Sequence, residues 1–240
     1  MFAKIALPVM KIAVMQPYLL PYIGYWELVA AADVFVVLDD VQFIRRGWIN
    51  RNRIRNDRKG EGWSYLTVPT GYAPLETRIL DIQMRFQSGW DRSMARRLEN
   101  LYGDRPSKCS IANTLVSLPS RSNRSLLLAL FELLQEVCGI LEIPTRIVLA
   151  SDIDPSSSAS AQRRIIDLVV RLGGREYLNL PRGRGLYDAG AFAEAGVRLR
   201  ILPETNFSSW APASSRLSIL DGILAGGLDR IRAHLHGFHD

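Results

Sequence analysis

The sequence has few histidines and cysteines, and none stand where those residues usually do chemistry. Its three histidines, His234, His236 and His239, lie close to the end of the chain, in a pattern typical of a solvated tail. Its two cysteines, Cys109 and Cys138, stand far apart without a CxxC pair, which excludes a structural zinc site and a disulfide framework. A Ser-His-Asp or Cys-His mechanism is therefore not favoured. A general base would be a carboxylate, a tyrosine or the substrate itself.

The sequence also lacks a long apolar run. No stretch approaches the roughly 18 residues that a membrane-spanning helix needs. Lys4 and Lys11 interrupt the apolar stretch at the start, and no small-residue cleavage pattern follows it. We therefore expect neither a signal peptide nor stable membrane insertion. Met10 resembles a natural start, which predicts that residues 1–9 are an extension outside the fold.

Lysine is scarce, and the positive charge is concentrated in one segment. The net charge is +6, and residues 42–63 carry seven basic and two acidic side chains, so this segment alone supplies +5. Such a cluster predicts an anionic partner: a phosphate, a nucleotide-sugar, a nucleic acid or a membrane surface. The alternative is a solvated arginine-rich face in a chain whose base composition favours arginine over lysine.

Predicted strands and helices alternate along the chain. Short apolar runs followed by Gly, Pro or polar residues predict strands, and longer stretches with an apolar face predict helices. This alternation predicts an α/β fold with a doubly wound, mostly parallel, Rossmann-like sheet, similar to the nucleotidyltransferase and HUP folds, with an antiparallel insertion. We expect one domain over residues 10–240, with 45–110 as an insertion-like subregion. The predicted strands are 12–15, 34–38, 65–68, 77–82, 115–118, 145–150, 176–180 and 198–202, and the main predicted helices are 90–102, 125–141, 161–172, 187–195 and 217–235.

Two polar segments follow the first two predicted strands, whose carboxyl ends meet at the sheet edge where ligands bind. The first segment is QPYLLPYIGY (16–25). Its YIGY resembles the HxGH turn of nucleotidyltransferases and class I synthetases but lacks both histidines, so adenylyl transfer is not implied. A helix N-terminus at this point can still bind an anion. The alternative is that the prolines and tyrosines only shape a turn. The candidate ligand-binding or catalytic residues here are Gln16, Tyr18, Tyr22, Gly24 and Tyr25.

The second segment begins with two adjacent carboxylates, Asp39 and Asp40, at the end of the second strand. Neighbouring residues of a strand point to opposite faces, so the two cannot share one metal through strand geometry alone. We expect one to face the cleft as a general base, a ribose-hydroxyl acceptor or a magnesium ligand. The other is expected to pair with an arginine of the following loop. The alternative is that both are structural, arginine-paired carboxylates.

The loop that follows mixes aromatic, amide and guanidinium groups, the chemistry that binds phosphates and sugar hydroxyls. The same mixture can bind single-stranded nucleic acid, or Trp48 can simply belong to a hairpin core. A second candidate rim, spanning 157–164 and 177–187, contributes Asn179 and Tyr187, with Gly183 and Gly185 permitting close backbone approach. The binding candidates of the loop are Gln42, Arg45, Arg46, Trp48, Asn50, Arg51 and Asn52.

The chain resembles the WbqC-like protein family over nearly its whole length from residue 10. The matching blocks are MKIAVMQPY (10–18), PYIGY (21–25), AD (32–33), DDVQF (39–43), GWINRN (47–52), LTVP (66–69), GREYLN (174–179), LYD (186–188) and LSILDG (217–222). The resemblance implies a bacterial cytoplasmic protein, often associated with gene clusters for surface polysaccharide or O-antigen. The sequence departs from the family pattern at LPRGRG (180–185), where a Gly-Gly turn is expected.

These observations lead to one main functional hypothesis and two alternatives. The main hypothesis is a transferase that adds a small acyl or aminoacyl group to a nucleotide-activated amino sugar, with no metal or cofactor specified by the sequence. The alternatives are a nucleotidyl or adenylyl transferase with a degenerate HxGH turn, and an RNA-binding (tRNA) or scaffold protein. In the main hypothesis Asp39 or Asp40 is the base, the loop arginines hold phosphate, and Trp48 stacks on a sugar or base.

Overall fold

The computed structural model describes residues 9–56, 62–154, 160–204 and 216–238, and its main element is a sheet of five parallel strands. These strands are β1 (Lys11–Met15), β2 (Val34–Val37), β5 (Arg146–Leu149), β6 (Glu176–Asn179) and β7 (Arg198–Ile201), in the spatial order β5-β2-β1-β6-β7. A separate antiparallel hairpin consists of β3 (Arg51–Arg55) and β4 (Trp63–Thr67). The predicted α/β class with an antiparallel insertion is confirmed. Residues 1–8 of the expected N-terminal extension lie outside the described residues.

Apolar side chains on both faces bury the sheet between two layers. Alternate residues of β1 point in opposite directions, so Ala13 joins one core cluster while Ile12 and Val14 join the other. Val34–Val37 of β2 is buried throughout, which is why this strand reads as a continuous apolar run in the sequence. The pairings Ile12 with Val34 and Ala13 with Leu178 place β1 at the centre of the sheet.

Helices cover both faces, and some differ from the predicted elements. Residues 115–118, predicted as a strand, instead end a helix and begin a 3-10 turn, because Ile111, Ala112 and Leu115 make one buried helical face. Residues 77–82, also predicted as a strand, instead contain a 3-10 turn at Ile79–Asp81. The segment 217–235, predicted as one helix, forms two helices separated at Gly226, whose φ is +86°. The described helices are α1 (Ile23–Ala31), α2 (Trp90–Tyr102), α3 (Ser110–Ser117), α4 (Leu126–Leu141), α5 (Ala150–Ile153), α6 (Ala161–Arg171), α7 (Ala189–Glu194), α8 (Ile219–Leu224) and α9 (Leu228–His236).

His234 is not part of the solvated tail that the sequence suggested, whereas His236 is exposed and His239 lies outside the described residues. His234 lies within α9, and its Nε2 is 2.6 Å from Oε1 of the buried Glu27 on α1. The prediction was wrong for His234 because α9 packs against α1 and brings this side chain to a carboxylate far away in the sequence. No helix within the described ranges is long and apolar enough to cross a membrane.

Candidate functional site

The strand order reverses at β1, and a cavity lies at that reversal. From β1 the chain builds the sheet outward through β2 to β5, and it then returns to the other side of β1 as β6 and continues to β7. Loops after β1 and β6 therefore diverge and leave a crevice beyond the carboxyl ends of the strands, the usual ligand position in open α/β sheets. The cavity here measures about 430 Å³, within the size range of small-molecule sites.

Apolar and aromatic side chains make most of the cavity wall. The apolar part comes from strand ends and from α6 and the loop after β6: Val14, Met15, Leu38, Ile165, Leu180 and Leu186. The aromatic part is Tyr18, Tyr22, Trp48 and Tyr187. Burial raises the pKa of the Tyr18 phenol, and the neighbouring Tyr22 adds to the shift. Tyr18 therefore stays neutral at physiological pH and can donate a hydrogen bond, but it is a poor base.

Two arginines give the cavity a positive wall. Arg216 lies over the ring of Tyr22, with its Cζ 5.3 Å from the ring centroid, and Arg182 lines the same space. Burial raises the pKa of Tyr22; the Arg216 and Arg182 guanidinium groups oppose that rise, while the carboxylates of Glu27 and Glu204 add to it. Among the described residues neither arginine forms an ion pair, and the cavity wall contains no Asp, Glu or His. A bound anion is the partner that this arrangement lacks.

The amide side chains of Gln16, Asn52 and Asn179 line the cavity, and those of Asn52 and Asn179 form hydrogen bonds within the protein. Asn179 accepts a hydrogen bond from the backbone N–H of Leu180 at 2.7 Å through its Oδ1. A Cβ at Gly183 would come within 2.4 Å of Asn179 Nδ2, so glycine is required for the loop to pass this close. Gln16 follows β1 directly, and its side chain has no hydrogen-bond partner among the described residues. Gln16 and Asn179 can therefore offer amide donors to a ligand.

The turn between β1 and α1 is fixed by hydrogen bonds from distant parts of the chain. Nδ2 of the buried Asn52 donates to the carbonyl oxygens of Leu19 at 2.9 Å and Leu20 at 3.0 Å. Ser218 Oγ donates to the same Leu20 oxygen at 2.6 Å. Leu20 has φ +43°, a left-handed conformation that is costly for leucine, and these bonds help to hold it there. They keep Tyr18 and Tyr22 in place at the cavity wall.

The turn that resembles HxGH contributes only its first aromatic residue to the cavity. Tyr22 lines the cavity, and Gly24 allows the Tyr22 ring to lie across the start of α1, since a Cβ at Gly24 would be 2.7 Å from Tyr22 Cε2. Tyr25, at the position of the second histidine, is fully buried, and its hydroxyl donates to the Gln16 carbonyl at 3.0 Å. Gly24 and Tyr25 therefore support the wall without lining it.

Asp39 and Asp40 lie beside the cavity, but neither carboxylate lines it, so the expectation that one of them faces the cleft is not met. Asp39 is fully buried and accepts hydrogen bonds from the Ser151 N–H at 3.0 Å and the Ser151 hydroxyl at 2.6 Å. Asp40 pairs with Arg164, which also lies 2.8 Å from Asp154. The expected partner from the following loop was wrong, because the arginine comes from α6. Both carboxylates attach the end of β2 to α5 and α6.

The basic loop after β2 is divided between the cavity and other surfaces. Trp48 and Asn52 line the cavity, whereas Arg45, Arg46 and Asn50 surround a separate shallow hollow near Tyr72. The Gln42 side chain donates to the Leu75 carbonyl, and Arg51 lies over Tyr65 on the hairpin. The loop arginines thus do not reach the cavity. Residues 57–61, which also belong to the charge cluster, and residues 157–159 of the second rim lie outside the described residues.

The two cavity arginines were not predicted as site residues. Arg182 lies in the PRGRG stretch of the loop that follows β6. Its place after a parallel strand and before a glycine is a sequence signal that could have identified it. Arg216 had no such signal, because it precedes α8 near the end of the chain and reaches Tyr22 only through the fold. Within the described ranges, no group of three or more His, Cys, Asp or Glu side chains comes together as a metal site.

Comparison with known proteins identifies a family for the chain but assigns it no reaction. A model described as the WbqC-like protein family matches residues 16–233. A similar curated protein is the "Uncharacterized protein Rv1507c" of Mycobacterium tuberculosis (strain ATCC 25618 / H37Rv), which is 28% identical over 218 residues, covering 88% of this chain and 91% of that protein. No solved structure matches the chain.

Proposed function

The chain belongs to the WbqC-like protein family, and from this premise we propose that it is a transferase acting on a nucleotide-activated amino sugar in surface polysaccharide (O-antigen) biosynthesis. The transferred group in this proposal is a small acyl or aminoacyl group. The observation that carries the proposal is the cavity at the strand-order reversal, which combines aromatic rings, free amides and two arginines without ion-pair partners among the described residues. Rings suit a base or a sugar, amides suit hydroxyls, and arginines suit a diphosphate.

In the proposed binding mode, Arg182 and Arg216 hold the diphosphate at the outer part of the cavity. Tyr22 and Trp48 offer ring faces to the base or the sugar, and Gln16 and Asn179 donate hydrogen bonds inside. Because burial raises the pKa values of Tyr18 and Tyr22, their hydroxyls remain donors across the physiological range. The two arginines and the phenol and amide donors of the cavity suit a substrate rich in phosphate and carbonyl oxygens.

The cavity wall also limits the chemistry, since its described residues include no carboxylate or imidazole to act as a base. Transfer of an acyl group from an activated ester or thioester to an amine fits this limit, because a neutral amine attacks without prior deprotonation by the protein. The C–N bond forms as the bond from the acyl carbon to the leaving group breaks, and the leaving group takes up the proton that the amine releases. Amide N–H groups of Gln16 and Asn179 would stabilise the oxyanion formed on the way. In this scheme Asp39 and Asp40 position helices rather than move protons.

Nucleotidyl transfer by a degenerate HxGH turn is less well supported. Tyr25 is fully buried and directed to the Gln16 carbonyl, so the second position of that turn offers nothing to a phosphate. Pyrophosphate release from ATP or CTP would favour this alternative over acyl transfer.

Equilibrium binding to a series of UDP- and dTDP-sugars, measured by calorimetry, tests the proposal. We expect Arg182→Ala and Arg216→Ala each to weaken binding about tenfold or more, since a hydrogen bond to a charged group is worth about 1.5–3 kcal/mol. Arg184→Ala is the matched control, because Arg184 is exposed in the same loop but does not line the cavity. Failure of every nucleotide and nucleotide-sugar to bind, or equal losses in the Arg184→Ala control, would overturn the proposal.

A further inference from the structure

The outward side of the β3–β4 hairpin carries a cluster of rings and guanidinium groups, which we call the hairpin face; it consists of Trp48, Arg51, Arg53, Trp63 and Tyr65. Strand periodicity explains it, because Arg51 and Arg53 alternate with Asn52 and Ile54, whose side chains are buried. Arg53 pairs with Tyr65 across the hairpin, which brings cations and rings together. The face follows from the alternation of the RNRIR sequence.

Rings and cations alternate closely on the hairpin face. Arg53 Cζ lies 3.9 Å from the Trp63 ring centroid and 5.2 Å from that of Trp48. Arg51 Cζ lies 4.1 Å from the Tyr65 centroid. The Trp63 and Tyr65 centroids are 5.1 Å apart, and those of Trp48 and Tyr65 are 6.5 Å apart. Three rings, each with a guanidinium group against it, therefore form one continuous surface.

The cations of the hairpin face have hydrogen-bonding capacity that the described residues do not use. Arg51 donates only to backbone carbonyls, those of Gly47 at 3.2 Å and Arg46, and neither Arg51 nor Arg53 forms an ion pair with a described carboxylate. Nε of Arg53 is buried against the Trp63 ring and has no hydrogen-bond partner among the described residues. An external acceptor such as a phosphate or a base carbonyl would therefore bond to the terminal guanidinium nitrogens of Arg53, since the buried Nε is out of its reach.

We propose that the hairpin face binds single-stranded RNA. Bases would stack on Trp48, Trp63 and Tyr65, while Arg51 and Arg53 contact phosphates, the combination that single-strand binding surfaces use. A single nucleotide would occupy one ring, whereas three adjacent rings suit several successive bases. Trp48 also lines the cavity at the end of β1, so a bound strand would pass the cavity opening. Trp48 is shared with the proposed nucleotide-sugar site, whereas Arg53 and Trp63 do not line the cavity, so changing these two residues tests RNA binding separately from the cavity.

Fluorescence anisotropy with the full chain and a labelled 12-nucleotide single-stranded RNA tests this proposal, with single-stranded DNA and duplex RNA of the same sequence as comparisons. We expect Trp63→Ala and Arg53→Ala each to weaken RNA binding about tenfold, in line with the loss of one stacked base. The double variant Arg51→Ala/Arg53→Ala should also reduce the slope of log affinity against log salt by about 1.4, because two phosphate contacts are lost.

Two controls separate binding from folding and from net charge. Arg163→Ala removes the same charge from α6, which packs on the opposite side of the sheet, and should leave affinity unchanged within about twofold. Arg53→Lys keeps the charge but removes the planar stack, so its affinity should fall between those of wild type and Arg53→Ala even if Trp63→Ala fails to fold. Absence of RNA binding at 50 mM salt, an equal loss in Arg163→Ala, or binding only to anionic vesicles would overturn the proposal. Tighter binding of duplex than of single strand would overturn the stacking argument as well.

Discussion

Replacing Asn52 by alanine examines how the turn that carries Tyr18 and Tyr22 is held. The amide of Asn52 is buried and makes three hydrogen bonds: its Nδ2 donates to the carbonyl oxygens of Leu19 and Leu20, and its Oδ1 accepts from the Arg53 N–H at 2.8 Å. Each hydrogen bond is worth about 1 kcal/mol, so the loss of all three lowers the free energy of unfolding by about 3 kcal/mol. The Leu20 oxygen keeps its bond from Ser218, which places the expected loss between about 2 and 3 kcal/mol.

Urea unfolding measures this loss directly. With a slope near 3 kcal/mol per molar, the midpoint of Asn52→Ala should fall by about 0.7–1 M relative to wild type, with the slope unchanged. Asn50→Ala is the matched control, because Asn50 is only partly buried and donates one hydrogen bond, to the Val68 carbonyl at 2.9 Å. Its expected loss is about 1 kcal/mol. The reasoning is refuted if Asn52→Ala costs less than about 0.5 kcal/mol, or no more than Asn50→Ala.

Two further predictions concern buried groups outside the cavity. Asp40→Asn should lower the free energy of unfolding, measured by chemical denaturation, by about 1–3 kcal/mol. The loss is smaller than for an arginine without any partner, because Arg164 keeps its ion pair with Asp154. A loss of transfer activity at unchanged stability would instead indicate that Asp40 is a catalytic carboxylate. Burial raises the pKa of Cys138 to about 12 from an ordinary value of 9.0. Its contribution to stability is therefore fully present below pH 9 and is lost as the pH rises towards 12, and Cys138→Ala should show a weaker decline over that range in thermal unfolding. Iodoacetamide should label Cys138 at pH 8 only after unfolding, and labelling of the native protein at the rate of a free thiol would contradict the burial.

The sequence was most informative where local pattern and fold agree. The apolar runs of β1 and β2 and the polar segments after them predicted both the parallel sheet and the edge at which the cavity lies. The helix α2 was also predicted from its apolar spacing and the closing Gly103. Periodicity was misleading for residues 115–118, because four residues are too few to separate a strand from the end of a helix. Predictions thus failed where short segments had to be judged without their neighbours.

The composition of the site depended on contacts that no local pattern shows. Asn52 was predicted to contact a ligand, and although it lines the cavity, its amide donors bond to the turn before α1. Asp39 lies next to a strand end, as a carboxylate facing the cleft would, but Ser151 of α5 donates a hydrogen bond to each of its two oxygens. Arg216 enters the cavity from a part of the sequence without periodicity or motif. In each case the side chain's partner lies more than 30 positions away, beyond the reach of spacing arguments.

The junction of Leu20 and Pro21 with Ser218 and Ile219 has a consequence for biosynthesis. These contacts, including the 2.9 Å bond from the Ile219 N–H to the Pro21 carbonyl, join segments 198 positions apart. At about 5–20 residues per second, a ribosome needs roughly 10–40 s to make the intervening chain. During that interval the C-terminal segment cannot yet cover the turn between β1 and α1. The tyrosines and leucines of that turn therefore remain accessible to solvent or to chaperones. A nascent chain can thus form its central strands early, whereas its ligand pocket is completed only when the last helices arrive.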